Sequence, residues 1–312
     1  MWGSCISIGF TDKLFYCYIV LLFYYWGIDG VPWFELFWVH EEGNLGGIIP
    51  TGFIGCVVNF IRNGPHQKGA ASLNMLGTNY VEQEKSKMKK FPIHNITPKV
   101  AREQQVELAK MVDTTNSPKD IKIIAGVDIA YSKKPSTGFC AISLFSYPDL
   151  KHIKTYYELE LVGYPYIPGL LSYREGPLIL QTLEKVEEDI DLFIFDGQGI
   201  AHPKGLGIAS HLGVLLDKPA IGCAKSRLTG KYKEPGEAKG SKSDLVNENG
   251  DVIGTVLRTR DDTNPVFVSP GHKIGVKEAS DIILNCATEY RLPEPIRKAD
   301  QEAEKYKNEG DI

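Results

Sequence analysis

Tryptophan is missing from the sequence after Trp38, and the six cysteines, Cys5, Cys17, Cys56, Cys140, Cys223 and Cys286, form no C-x-x-C pair. The lack of such pairs argues against a zinc cage or a dense disulfide framework and makes a reduced, cytoplasmic setting the default. Neither sign of charge is in large excess. The net charge is -4, so no global basic field draws in nucleic acid, and any polyanion must be held by a local site. The run Leu14 to Ile28 is uncharged and crowded with aromatics, yet its 15 residues fall short of the roughly 20 that span a bilayer. Lys13 is the only early base and no A-x-A follows, so the pattern of a signal peptide is lacking. A hydrophobic share of 43% and a charged share of 24% exclude wholesale disorder.

What is present falls into two unlike parts. Residues 1–87 hold all four tryptophans, and Gly43 to Thr78 keeps neither a period of 2 nor one of 3.6. This segment reads as an interfacial anchor, a small extra domain, or sequence from upstream of the true start, the last being favoured. Met88 opens a natural beginning, so residues 88–312 form the expected working domain. Thr97-Pro98 predicts a helix start, with threonine as cap and proline at the first helical position, running to about Val112. IKIIAGVDIAYS, GFCAISLFSYP and HIKTYYELELV then predict an antiparallel meander. Pro177 predicts a second helix start, and DLFIFDG a buried strand. A helix over about Leu206 to Leu216 follows, then strands in PAIGCAKS, GDVIGTVLRTR and NPVFVSP. Ala279, Ile282, Ile283, Cys286, Ala287 and Tyr290 form a helical stripe, and a last helix begins near Pro295. Together these elements predict an α/β fold with a central mixed sheet flanked by helices.

Three acids stand out. Asp128 and Asp196 each close an apolar run, where a carboxylate is costly to desolvate unless something positive meets it. Glu175 stands before Pro177, at the expected helix start, where negative charge is favoured. Each has an ordinary reading as a turn or capping residue. Converging, they would suit Mg²⁺, which prefers few carboxylates, waters and phosphate oxygens. GQGIAH fails as a dinucleotide fingerprint because position 202 is His202, but its glycines allow backbone to approach a phosphate. His202 and Lys225 are candidate phosphate contacts. In Pro165-Tyr166-Ile167-Pro168-Gly169 the two prolines stiffen the chain around a tyrosine suited to wedging between bases.

The strings AGVDIAY, YPYIPGLLSYREGPL, FDGQGIAHPKGLGIASHLGV, IGCAKSRLTG, VFVSPGHKI and LPEPIRKAD resemble endonuclease V in the same order, over roughly Pro98 to Tyr306. The resemblance implies a ribonuclease H-like fold and Mg²⁺-dependent hydrolysis, with Mn²⁺ as a substitute. It also implies cleavage of DNA or RNA at the second phosphodiester 3′ to an inosine. Asp128, Glu175 and Asp196 match the family's metal-binding carboxylates. Pro165 to Pro168 match its strand-separating wedge, with Tyr166 the inserted ring. His202 and Lys225 match residues near the scissile phosphate and lesion, and Gly169 and Gly199 match glycines lining the base pocket. Asp300 stands where bacterial members often carry histidine, and is added to the catalytic set. Residues 1–87 have no counterpart. The partner implied is inosine-containing nucleic acid, with no obligate protein partner and a monomer as the default. Two other readings are a ribonuclease H-like nuclease for branched or flap substrates, and a non-catalytic binder of deaminated bases. A membrane-tethered protein rests only on Leu14 to Ile28.

Overall fold

The computed structural model describes residues 91–132 and 136–310, together with the backbone of three short strands nearer the amino terminus. The chain divides into two compact units, Met1–Tyr80 and Val81–Ile312. In the first, β1 (Ser7–Gly9), β2 (Tyr18–Leu22) and β3 (Glu35–Leu36) pair antiparallel in that order. The remaining expectations for the leading segment, including a start at Met88, lie outside the described residues. Among the described residues no helix is long and apolar enough to cross a membrane.

The second unit is built on eight strands: β4 (Ile123–Tyr131), β5 (Thr137–Ser146), β6 (His152–Leu161), β7 (Leu192–Phe195), β8 (Ala220–Ala224), β9 (Lys242–Val246), β10 (Val252–Leu257) and β11 (Val266–His272). Their order across the sheet is β6-β5-β4-β7-β8-β11-β10-β9. The expected meander, β4 to β6, is antiparallel, whereas β4, β7 and β8 run parallel. The helices are α1 (Pro98–Ala109), α2 (Leu171–Leu183), α3 (Ile208–Leu216), α4 (Val276–Cys286) and α5 (Glu294–Gly310).

Central strands buried on both faces divide their apolar residues by parity. Ala125, Val127, Phe193 and Phe195 belong to a core shared with α1, α2 and α3. Ile124, Leu192, Ile194, Ile221 and Cys223 belong to a second core shared with α4 and with Ile296 of α5. The expected mixed sheet between helices is therefore present. Thr97 caps α1, its side chain accepting from the Val100 amide at 3.4 Å, with Pro98 in the first turn.

Three expectations need correction. Pro177 does not start α2. The helix begins at Leu171, and Pro177 lies inside it. Ser172, Gly176, Ile179 and Thr182 form an unbroken buried stripe at helical spacing, and its burial outweighs the one backbone hydrogen bond a proline removes. Glu175 is thus a second-turn residue rather than a first-turn one. The stripe of α4 stops at Cys286, because Ala287 turns extended and Tyr290 is exposed. Strand β9 was not expected at all: KSDLV is a polar edge strand that buries only Leu245.

Candidate active site

Parallel pairing sets the centre of the site. Val127 of β4 is in register with Phe195 of β7, so Asp128, still inside β4, and Asp196, just past the end of β7, follow side by side where the pairing of the two strands stops. Their parity aims both at the face covered by α5. That helix docks closely because Gly126 has no side chain: a Cβ there would lie 2.1 Å from the carbonyl carbon of Pro295. The same helix delivers Asp300. One carboxylate oxygen from each of Asp128, Asp196 and Asp300 lies within 4.8 Å of the others. Lys225, just past the end of β8, places Nζ 2.7 Å from Asp196 Oδ2 and 3.2 Å from Asp300 Oδ1.

Electrostatics show a surplus of negative charge. Burial, then Asp196 and Asp300, push the Asp128 carboxyl up to about 8, against the pull of Lys225. Burial works to lower the pKa of Lys225, but its hydrogen bond and ion pair with Asp196, reinforced by Asp300, hold it above the usual lysine value. Three carboxylates facing one ammonium, with a lysine already bridging two of them, form an oxygen-donor set that fits a hard divalent cation.

Glu175 is not part of this compact set. It reaches the strand ends from α2, on the opposite face of the sheet from α5, and accepts a hydrogen bond from Tyr131 Oη at 3.3 Å. Burial pushes it up to about 8, with the Tyr131 hydrogen bond pulling it down and Asp196 adding to the rise. The acids that converge here are therefore Asp128, Asp196 and Asp300, whereas the sequence grouped Asp128, Glu175 and Asp196.

Beside the acids lies a cavity of about 370 Å³, lined in part by Tyr166, Gly169, Asp196, His202 and Lys225. Tyr166 is 69% exposed at its rim. Pro165 and Pro168 are exposed, while Ile167 packs against the core and anchors the loop. Gly169 has φ +81°, a left-handed conformation that favours glycine. Its carbonyl accepts from Gln105 Nε2 at 2.7 Å. His202 also hydrogen-bonds to the Gly169 backbone. Because His202 Nδ1 accepts the Lys204 amide at 3.1 Å, the ring proton sits on Nε2. Burial lowers this histidine to about 4, so it is neutral at pH 7. His202 thus ties the cavity wall to the foot of the tyrosine loop.

Gly199 does not line the cavity, whereas Gly197 and Gly207 do. Gly199 lets its loop lie on β11: a Cβ there would be 2.0 Å from the Pro270 carbonyl oxygen. Sequence reasoning passed over Gln105, although a glutamine between Ala101 and Leu108 on the buried stripe of α1 was a visible signal. It also passed over Tyr131 and Arg174, whose guanidinium stacks 4.6 Å over the Tyr131 ring.

The profile of the endonuclease V family matches residues 106–301. The chain belongs to the endonuclease V family. It is accordingly a nuclease, a hydrolase of phosphodiester bonds. It is 47% identical over 205 residues to endonuclease V of Kosmotoga olearia, covering 66% of this chain and 90% of the relative. Among solved structures, endonuclease V of Streptomyces avermitilis superposes with TM-score 0.66 at 34% identity, covering 69% of this chain and 95% of that one. Endonuclease V of Ciona intestinalis, in complex with a 24mer DNA containing an inosine followed by a ribo-adenosine, gives TM-score 0.59 at 26% identity, covering 67% and 96%. The eight-stranded mixed sheet with helices on both faces is the ribonuclease H-like fold of this family.

Proposed function

We propose that the chain is a Mg²⁺-dependent endonuclease that cuts inosine-containing DNA or RNA at the second phosphodiester on the 3′ side of the lesion. Mn²⁺ is able to substitute, and the enzyme acts as a monomer with no obligate protein partner. The observation that carries this reading is the placement of Asp128, Asp196 and Asp300 beside a cavity whose rim bears the exposed ring of Tyr166. The Ciona relative bound to inosine-containing DNA supports the choice of lesion.

Asp128, Asp196 and Asp300 would hold the metal, with Glu175 close enough to Asp196 to feel its charge. A divalent ion held there would supply acidity to an attacking water and offset charge on the leaving oxygen. Tyr166 inserts its ring into the base stack, and the prolines on either side keep the loop from yielding. The cavity behind it takes the extruded base. His202, neutral and fixed by Lys204 and Gly169, holds the cavity wall in place. Lys225, held at the acids by Asp196 and Asp300, would offer its ammonium to a phosphate oxygen of the substrate. Buried, unpaired thiols at Cys140, Cys223 and Cys286 suit a cytoplasmic setting.

The test is cleavage of single-stranded RNA, single-stranded DNA and duplex DNA, each with one inosine or one adenosine, with Mg²⁺ or with chelator. Products should end one nucleotide beyond inosine, and only with metal. Equal cutting of adenosine controls would favour a structure-specific nuclease, and binding without cutting a deaminated-base binder.

A further inference from the structure

The tyrosine loop has a cavity on each of its two sides. Tyr166, Pro168 and Gly169 line the one that meets the carboxylates. Gly163, Tyr164 and Pro165 line another, of about 460 Å³, which also takes in Tyr173, Arg174 and Pro177 of α2. Neither Asp196 nor Lys225 lines this second space. The loop and the start of α2 are thus a partition.

A partition that splits a base pair releases two bases. One passes to the carboxylate side. The other has lost its pairing partner, and its freed edge is left to water unless something receives it. We propose that the second cavity receives this orphaned base, the one opposite the lesion, whenever Tyr166 opens a duplex. The inference rests on the functional reading above and adds a site for the other strand.

The chemistry of the space suits a base. Rings and apolar side chains, among them Pro98, Pro165, Tyr173 and Leu178, share its walls with the opposite charges of Glu160 and Arg174. The Tyr164 hydroxyl is buried with no hydrogen-bond partner among the described residues, so it does not offer its oxygen to the space. His94 and Asn95 add further polar groups. The wall is stiff: the Arg174 guanidinium donates to the Tyr164 carbonyl oxygen and, at 3.1 Å, to Ser136 Oγ. This space therefore need not form on binding. It is of the size range in which small ligands are held.

Gly163 makes the proposal testable without touching the carboxylate side. A Cβ at this position meets nothing within 4 Å, so a large side chain can be added without strain in the fold. Three substrates carry one inosine each: a paired duplex, a duplex with an abasic nucleotide opposite the inosine, and a single strand. Single-turnover cleavage by wild type and Gly163→Phe is measured on all three, with thermal melting as a check on folding. Gly163→Phe should lose about tenfold on the paired duplex and nothing on the other two, because neither presents an orphaned base. Wild-type cleavage of the paired duplex by Gly163→Phe overturns the proposal. So does an equal loss on the abasic duplex or the single strand. If wild type leaves inosine strands intact in every arm, the functional reading falls and this proposal with it.

Discussion

At the scale of single residues, the crowding around Asp128 has a thermodynamic signature. Without metal its carboxyl titrates at about 8 in the folded chain, against roughly 4 when unfolded. Between those values the unfolded state has released a proton that the folded state keeps. Stability therefore falls as pH rises from about 4 to about 8. Glu175, also raised to about 8, contributes in the same sense. Mg²⁺ should raise the melting temperature more at pH 8 than at pH 6, since binding displaces these protons. Asp128→Asn should flatten part of the pH slope in chelator, weaken the metal-induced shift and reduce cleavage roughly 10³-fold or more. Calorimetry across pH with and without Mg²⁺ checks this, and an unchanged slope in the variant would contradict it. Tyr166, by contrast, should matter to binding and hardly to stability, being 69% exposed. Tyr166→Ala should weaken binding to an inosine duplex by about one to two powers of ten, less on a single strand, while Tyr166→Phe stays mild. Affinities measured on both substrates, with an unchanged Mg²⁺ optimum, are the check.

At the scale of elements, the seating of α5 on β4 decides where Asp300 stands. Gly126→Ala would put a methyl group into the backbone at Pro295, so the helix must move. We expect a loss of about 1–3 kcal/mol and a higher Mg²⁺ concentration at half-maximal rate. A melt and a metal titration on the same variant test both, and an unmoved titration would show that Asp300 does not depend on this contact. Such contacts also mark how far the sequence could be read. Asp128 and Asp196 were legible because each interrupts an apolar run, and the Thr97-Pro98 cap because its signal is local. Glu175 was assigned to the wrong turn because proline is a strong local cue, while the stripe that overrides it is settled by packing. The convergence of Asp300 was invisible to spacing, since it depends on a glycine 174 positions away (300 − 126). Strand β9, polar and at an edge, carries too little alternation to be seen.

At the scale of the whole molecule, the elements that compose the site all lie in the unit Val81–Ile312. A chain beginning at Met88 should therefore fold and cut as well as the full chain. Equal melting temperatures and equal specific activity on one inosine substrate would establish this. A fall in either would assign the leading segment to the working enzyme.

The bridge from Lys225 to Asp196 and Asp300 also bears on the order of events in the protein's life. Zinc fingers stay unfolded until their ion arrives, because nothing else holds their ligands together. Here the chain brings its own cation to the meeting point of β7, β8 and α5. Under the proposed function, that arrangement would let folding precede metal loading. A newly made molecule would then complete its fold in a metal-poor compartment with its acids partly neutralised by Lys225, and a divalent ion held later by Asp128, Asp196 and Asp300 would supply the activity.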